Sequence, residues 1–154
     1  MYVIGGIHGV GKSTICQQIC DDLRLEYLSA SDLLKWKEIN KDALNKKVKS
    51  IPATQDRLLA GLENTIQSNK SYLLDGHYCL LNSIGEIVNV PFDTFKQINP
   101  ASLNIILGDV LEIKGRLEKR DSKQYDSDLL KLMQDKELSY ALELSKELPV
   151  SGLF

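Results

Sequence analysis

Residues Gly6-Ile7-His8-Gly9-Val10-Gly11-Lys12-Ser13 fit the pattern G-x-x-x-x-G-K-[ST] at every required position, and Thr14 follows. Glycines allow a backbone to come close to a polyphosphate and to take torsions closed to other residues. Such a loop aims its N–H groups, and the positive end of the helix behind it, at phosphate oxygens. Lys12 is placed to reach the β- and γ-phosphates, and the Ser13 hydroxyl to ligate Mg²⁺. The flanks give the motif its context. Tyr2-Val3-Ile4 is a short apolar run that reads as a buried strand, and Thr14 to Leu23 has helical spacing. The expected nucleotide contacts are therefore Gly6, His8, Gly9, Val10, Gly11, Lys12, Ser13 and Thr14. His8 occupies a variable loop position, and its ring is expected in solvent.

A phosphate loop needs partners before it can transfer phosphate. Leu73-Leu74-Asp75 is an apolar run ending directly in an acid, so Asp75 is the candidate for holding Mg²⁺ with Ser13 or for acting as a base. His77, two residues on, either touches substrate or is a turn residue bonded to backbone. Positive charge on the transferring group can be worth about 10³–10⁵ in rate. The chain has four arginines, and Arg116 and Arg120 lie four apart on one helix face before the polar stretch 121–126. They are the candidate lid pair.

The elements that must position these residues follow from periodicity and breakers. Ile15, Ile19 and Leu23, with Cys16 and Cys20, give the first helix an apolar face. Leu25 to Leu28 reads as a second strand, and Ser29, Ser31 and Asp32 offer caps for a helix beginning near Leu33. Six lysines occupy 35–49, which reads either as a solvated, mobile face or as a docking surface for an anionic substrate. Pro52 opens a helix whose inner side is Leu58, Leu59, Leu62 and Ile66. Tyr72 to Leu74 is the third strand. Tyr78 to Leu81 and Ile87 to Val90 form a hairpin around a turn at 82–85. A short helix follows Pro91, and Leu103 to Leu107 is the fourth strand. Asp109 and Glu112 have capping-box spacing for a helix to about Lys119. A long helix from about Asp128 to Glu147 turns Leu130, Met133, Tyr140, Ala141, Leu144 and Leu148 inward. Leu148-Pro149-Val150 reads as the start of a fifth strand. Alternating strands and helices predict an α/β fold: a three-layer αβα sandwich on a mostly parallel sheet of about five strands.

The chain has 154 residues, 43% hydrophobic and 26% charged, which suits one globular domain spanning 1–154 with a real core. A net charge of −2 gives no basic field for nucleic acid or an acidic membrane. No apolar run reaches membrane-span length, and nothing before Tyr2 reads as a leader. Cys16, Cys20 and Cys79 are odd in number and lack metal-ligand spacing, which predicts reduced thiols and a cytoplasmic protein.

With these residues in place, the order of elements resembles the adenylate kinase-like nucleoside monophosphate kinases, and most of all their compact archaeal and nuclear type. The resemblance runs from Tyr2 to about Leu148. Leu28 to Lys35 is similar to the family's I-S-T-G-D-M-L-R stretch, Leu74-Asp75-Gly76-His77 to its D-G-F-P-R and D-x-H segments, and Arg116 through Asp121 to the R-x-x-x-R-D start of its lid. The resemblance implies ATP and Mg²⁺ as cofactors and a nucleoside monophosphate as acceptor. It also implies a helical acceptor-binding region over 32–66 with Asp32, Lys35 and His77 at the substrate, and a short lid over 116–127. Lys12, Asp75, Arg116 and Arg120 would be the catalytic set. Ala30 and Lys35 stand where the family has Thr and Arg, and Cys79 replaces the arginine of D-G-F-P-R. A kinase for another small hydroxyl or phosphate acceptor fits the same residues. The competing expectation is an ATPase switch or adaptor, with the lysine run as its protein-docking face. A GTPase is disfavoured, because Asn40-Lys41-Asp42 lacks the N-K-x-D spacing.

Overall fold

The computed structural model describes residues 1–34, 47–48 and 51–154. In chain order the elements are β1 (Tyr2–Gly5), α1 (Lys12–Leu23), β2 (Glu26–Ser29), α2 (Ala30–Leu33), β3 (Lys47–Val48), α3 (Ile51–Thr65), β4 (Tyr72–Asp75), β5 (Cys79–Asn82), β6 (Ile87–Asn89), α4 (Phe92–Ile98), β7 (Ser102–Ile105), α5 (Val110–Asp121) and α6 (Ser127–Glu147). The central sheet has the order β2-β4-β1-β7, every pair parallel.

Period-2 alternation sorts the strand residues into two cores. Val3, Leu74 and Leu103 meet Leu58 and Leu62 of α3, Phe95 of α4 and Tyr140, Ala141 and Leu144 of α6 on one face. Ile4 and Leu73 meet Cys16 and Cys20 of α1 on the other. The expected three-layer α/β sandwich is therefore the observed one. A third cluster joins Ile7 and Val10 of the phosphate loop to Ile113, Leu117 and Leu130, so α5 and the start of α6 brace the loop directly.

Several details differ from expectation. The central sheet has four strands. The expected fifth does not start at Leu148, which ends α6 as its C-cap; residues 151–154 instead run beside β7 through the Leu103–Leu153 bridge. Leu103 and Ile105 donate to the carbonyls of Gly152 and Phe154 there. On α1 the sheet-facing residues are the two small thiols, which let the helix sit close, whereas Ile15 and Leu23 are 40% and 66% exposed. Ile66 lies beyond the end of α3 and is likewise exposed. The helix after β2 starts at Ala30, because Ser29 caps it by accepting from the Asp32 amide at 3.4 Å.

The 32–66 region is not helical throughout: β3 pairs parallel with β5, which pairs antiparallel with β6 in a small second sheet. The remainder of the lysine run, including Lys35, lies outside the described residues. The hairpin, the helix after Pro91 and the Asp109 cap are as expected, the last with Asp109 accepting from the Glu112 amide at 3.0 Å. Residues 116–121 of the expected lid are the last turns of α5, leaving 122–126 as its loop. No helix among the described residues is long and apolar enough to cross a membrane.

Packing at the end of β1 is tight. A Cβ on Gly5 would lie 2.3 Å from the Tyr78 ring and 3.2 Å from Glu137 Oε2. A Cβ on Gly115 in α5 would meet nothing within 4 Å. Gly5→Ala should therefore destabilise by about 1–3 kcal/mol through overpacking. Gly115→Ala should stabilise by about 0.5–1 kcal/mol through helix propensity. Urea unfolding of both variants checks the pair of signs.

Candidate active site

The parallel register brings the chemistry together. Ile4 of β1 and Ser29 of β2 both stand opposite Asp75, the last residue of the central strand β4. The Gly76 amide donates to the Ile4 carbonyl at 3.0 Å, which fixes the chain leaving β4 against the root of the phosphate loop. Within the loop, Gly9 and Gly11 have φ of 81° and 92°, torsions that a side chain would strain. Gly11 is the N-cap of α1, and no side chain caps that end. The first amides of α1 therefore face the cleft as an anion site.

A cleft of about 370 Å³ is lined by His8, Gly9, Gly11, Lys12, Ser13, Asp75, His77, Arg116 and Arg120, all expected from the sequence. Gly6, Val10, Thr14 and Asp32 do not line it. Val10 is buried in the core under the loop, while Thr14 and Asp32 are exposed on their helices. Lys12 Nζ is ion-paired with Asp75 Oδ1, both side chains nearly buried. The second carboxylate oxygen of Asp75 accepts from the Tyr27 hydroxyl at 2.8 Å. Tyr27 also lines the cleft, and burial followed by the Asp75 hydrogen bond raises its phenol.

Arg116 crosses the loop, donating to the Gly9 carbonyl at 3.0 Å, with Glu112 at 3.4 Å. Arg120 makes two hydrogen bonds to Asp121, at 2.6 and 2.8 Å, and Tyr125 donates to the same carboxylate. These two donors hold the Asp121 carboxyl well below its usual range.

His8 is not a solvent-facing ring. It is half-buried, with its centroid 4.5 Å from that of His77. Behind His77 lies a residue that the sequence pattern did not single out. Glu137 of α6 is 1% exposed, and its carboxylate accepts from the Tyr78 amide at 3.0 and 3.1 Å and the Cys79 amide at 3.2 Å. His77 Nδ1 is 3.4 Å from Glu137 Oε1. Burial pushes the Glu137 carboxyl up to about 7, although the amides of Tyr78, Cys79 and Gly6 pull the other way. The signal was present: Glu137 occupies a core-facing position between Met133 and Tyr140, where an acid has no reason to be unless bonded. Tyr27 carried no comparable signal, because a tyrosine in a strand is ordinary.

The three thiols are buried, and burial pushes those of Cys16 and Cys79 up to about 12, which removes them as nucleophiles. Among the described residues no cluster of three or more His, Cys, Asp or Glu could hold a metal without other ligands.

Against known families, residues 5–133 match the model of the AAA domain family AAA_17. The chain belongs to that family. No curated protein matches it. Among solved structures, a gluconokinase from Sinorhizobium meliloti 1021 superposes with a TM-score of 0.57 at 14% identity, covering 96% of this chain and 92% of that one. An uncharacterized protein from Eubacterium ventriosum gives a TM-score of 0.49 at 14% identity, covering 99% and 85%. The fold is thus one that this chain shares with that gluconokinase, and the matched residues 5–133 include the loop at the cleft floor.

Glu137 also makes stability depend on pH. The unfolded chain releases this proton near 4.5 and the folded chain near 7. Between those values the folded state holds the extra proton, so stability falls as pH rises. The shift corresponds to about 3 kcal/mol. In urea unfolding, Glu137→Gln should gain on the wild type by about that much between about pH 4 and about pH 8.

Proposed function

We propose that this protein is an ATP-dependent small-molecule kinase. The observation that carries the reading is one cleft containing a phosphate loop, the Lys12–Asp75 pair and two arginines. The loop amides and Lys12 would hold the donor phosphates. Arg116 already lies across the loop and Arg120 lines the same cleft, where both would offset charge on the transferring group. Catalysis would then be positioning and charge neutralisation in a partly dry site.

Mg²⁺ fits conditionally. Ser13 and Asp75 share the cleft, but Lys12 and Tyr27 occupy both Asp75 oxygens. Phosphates that draw Lys12 away would release Oδ1, and Ser13 with Asp75 would then hold the ion. When bound, it neutralises charge on the β- and γ-phosphates.

The acceptor is the finer question. A nucleoside monophosphate is what the resemblance to adenylate kinase-like enzymes implies, with Asp32, Lys35 and His77 near it. Apolar walls from Leu34, Leu58, Leu74 and Phe95 beside the cleft suit a base. The His77–Glu137 contact favours a second reading, a hydroxyl acceptor. The structural likeness to a gluconokinase is compatible with either, since at 14% identity it speaks for the fold alone.

The test is ADP formation from Mg-ATP, with and without nucleoside monophosphates, sugars and other alcohols. A kinase gives acceptor-dependent ADP above a slow background; an ATPase switch gives ADP that no acceptor changes. Lys12→Ala should lower turnover by about 10²–10³-fold, the scale of losing one charge-stabilising donor. Unchanged turnover in that variant would overturn the shared premise that the loop holds the donor.

A further inference from the structure

A cavity of about 60 Å³ lies under α2 and α3, walled by Leu34, Leu58, Leu74 and Phe95, and it shares Ser31 and Gly76 with the phosphate cleft. An end group seated there would leave the rest of its molecule beside the phosphate loop. None of the described lining residues is Asp, Glu, Lys or Arg, so a charged group would enter without a counter-ion. Volume sets the size of what fits. One water needs about 10–15 Å³, and a cavity of about 150 Å³ takes a benzene ring. The walls match a nucleobase in polarity, but the space does not hold one. It suits an aliphatic end of a few heavy atoms.

One residue of the wall limits the chemistry further. Gln55 of α3 lines this cavity and is 4% exposed. Its Oε1 has no hydrogen-bond partner among the described residues. Buried polar side chains nearly always have one, and an oxygen left alone forfeits the bond that water gave it in the unfolded chain. An apolar side chain of the same length would line the cavity without that cost. The last torsion of a glutamine is soft, so the carboxamide can turn this oxygen to meet a ligand. The atom therefore calls for an N–H or O–H from whatever binds.

We propose that this cavity binds the neutral aliphatic end of a small molecule through an N–H or O–H donated to Gln55 Oε1, and that Gln55 sets the specificity for it. That the molecule is the phosphoryl acceptor rests on the kinase reading above; the binding does not. The cavity then selects in three ways. A charged end is rejected because it would be buried unpaired, a ring because it is too large, and a purely apolar end because it leaves the Gln55 oxygen without a partner. The acceptor's reacting group would stay in the polar cleft with Lys12 and Arg116, so one molecule would be recognised at one end and phosphorylated at the other.

The test is methyl NMR of the whole chain, titrated with 2-propanol and with 2-chloropropane, which has the same shape and no donor. The expected result is saturable shifts of the Leu34, Leu58 and Leu74 methyls with 2-propanol, and nuclear Overhauser contacts from it to the Gln55 side-chain amide. Gln55→Met keeps the length and removes the oxygen. It should lower the ratio of 2-propanol to 2-chloropropane affinity by about tenfold, the scale of one hydrogen bond. An unchanged ratio would overturn the proposal. So would the absence of saturable shifts in the wild type, a result that stands even if the variant does not fold. Purine shifting the same methyls at similar concentration would overturn the size limit. With Mg-ATP, Gln55→Met should raise the KM of whichever acceptor stimulates ADP formation by about tenfold, with the KM for ATP unchanged. Acceptor-dependent ADP formation with an unchanged acceptor KM would overturn the acceptor assignment and leave the kinase reading standing. Binding of 2-propanol as expected, with ADP formation that no acceptor raises, would overturn the kinase reading and leave the cavity as a binding site.

Discussion

The Lys12–Asp75 ion pair is the interaction on which the candidate site depends. It joins the first residue of α1 to the last residue of the central strand, two segments 63 positions apart in sequence. The parallel register makes it possible, since Ile4 and Asp75 are paired neighbours and the loop leaving β1 must pass over the end of β4. Two nearly buried charges of opposite sign are each costly alone and tolerable together. The pair therefore holds the site in order without a ligand, and any polyanion that captures Lys12 must also relieve Asp75. On the function proposed above, a divalent cation accompanying the phosphates would do so, and donor binding and metal binding would be linked through one carboxylate.

Around this pair the fold supplies rigid supports. α5 and the start of α6 pack Ile113, Leu117 and Leu130 against Ile7 and Val10, so the loop rests on a core of its own. Gln134 clamps the turn after β7, donating to the Gly108 carbonyl at 2.9 Å and accepting from the Gly108 amide at 3.0 Å. Glu137, one turn further along α6, holds the Tyr78 and Cys79 amides and stands behind His77. One helix thus packs against the loop, holds the segment after β4 and stands beside His77. The preorganisation resides in α6 rather than in the loops it supports.

Much of this was legible in the chain. The phosphate loop, Asp75 at an apolar strand end and the Asp109 cap are local patterns whose spacing states their role. Period-2 and period-3.6 signals found the elements and the layered α/β fold. What was not legible depends on which way an element faces. The apolar face expected on α1 held Ile15, Ile19 and Leu23 together with Cys16 and Cys20; the sheet buries the cysteines, as expected, and leaves Ile15 and Leu23 exposed. His8 looked like a solvent ring because nothing local announces that His77 will lie against it. Glu137 is not legible from hydrophobic periodicity, which marks only apolar residues, although its register with Met133 and Tyr140 makes it interior. The fifth strand expected from Leu148 does not form: α6 extends to its cap at Leu148, and the chain beyond it meets β7 only at the isolated Leu103–Leu153 bridge.

The most direct measurement of the central claim is a crystal structure with Mg²⁺ and a non-hydrolysable ATP analogue. The expected result is the triphosphate on the 6–13 loop, Lys12 Nζ within hydrogen-bond reach of its oxygens, and Asp75 released from Lys12 toward the metal with Ser13. A triphosphate bound away from this loop, or Lys12 still paired with Asp75 while nucleotide is bound, would contradict it.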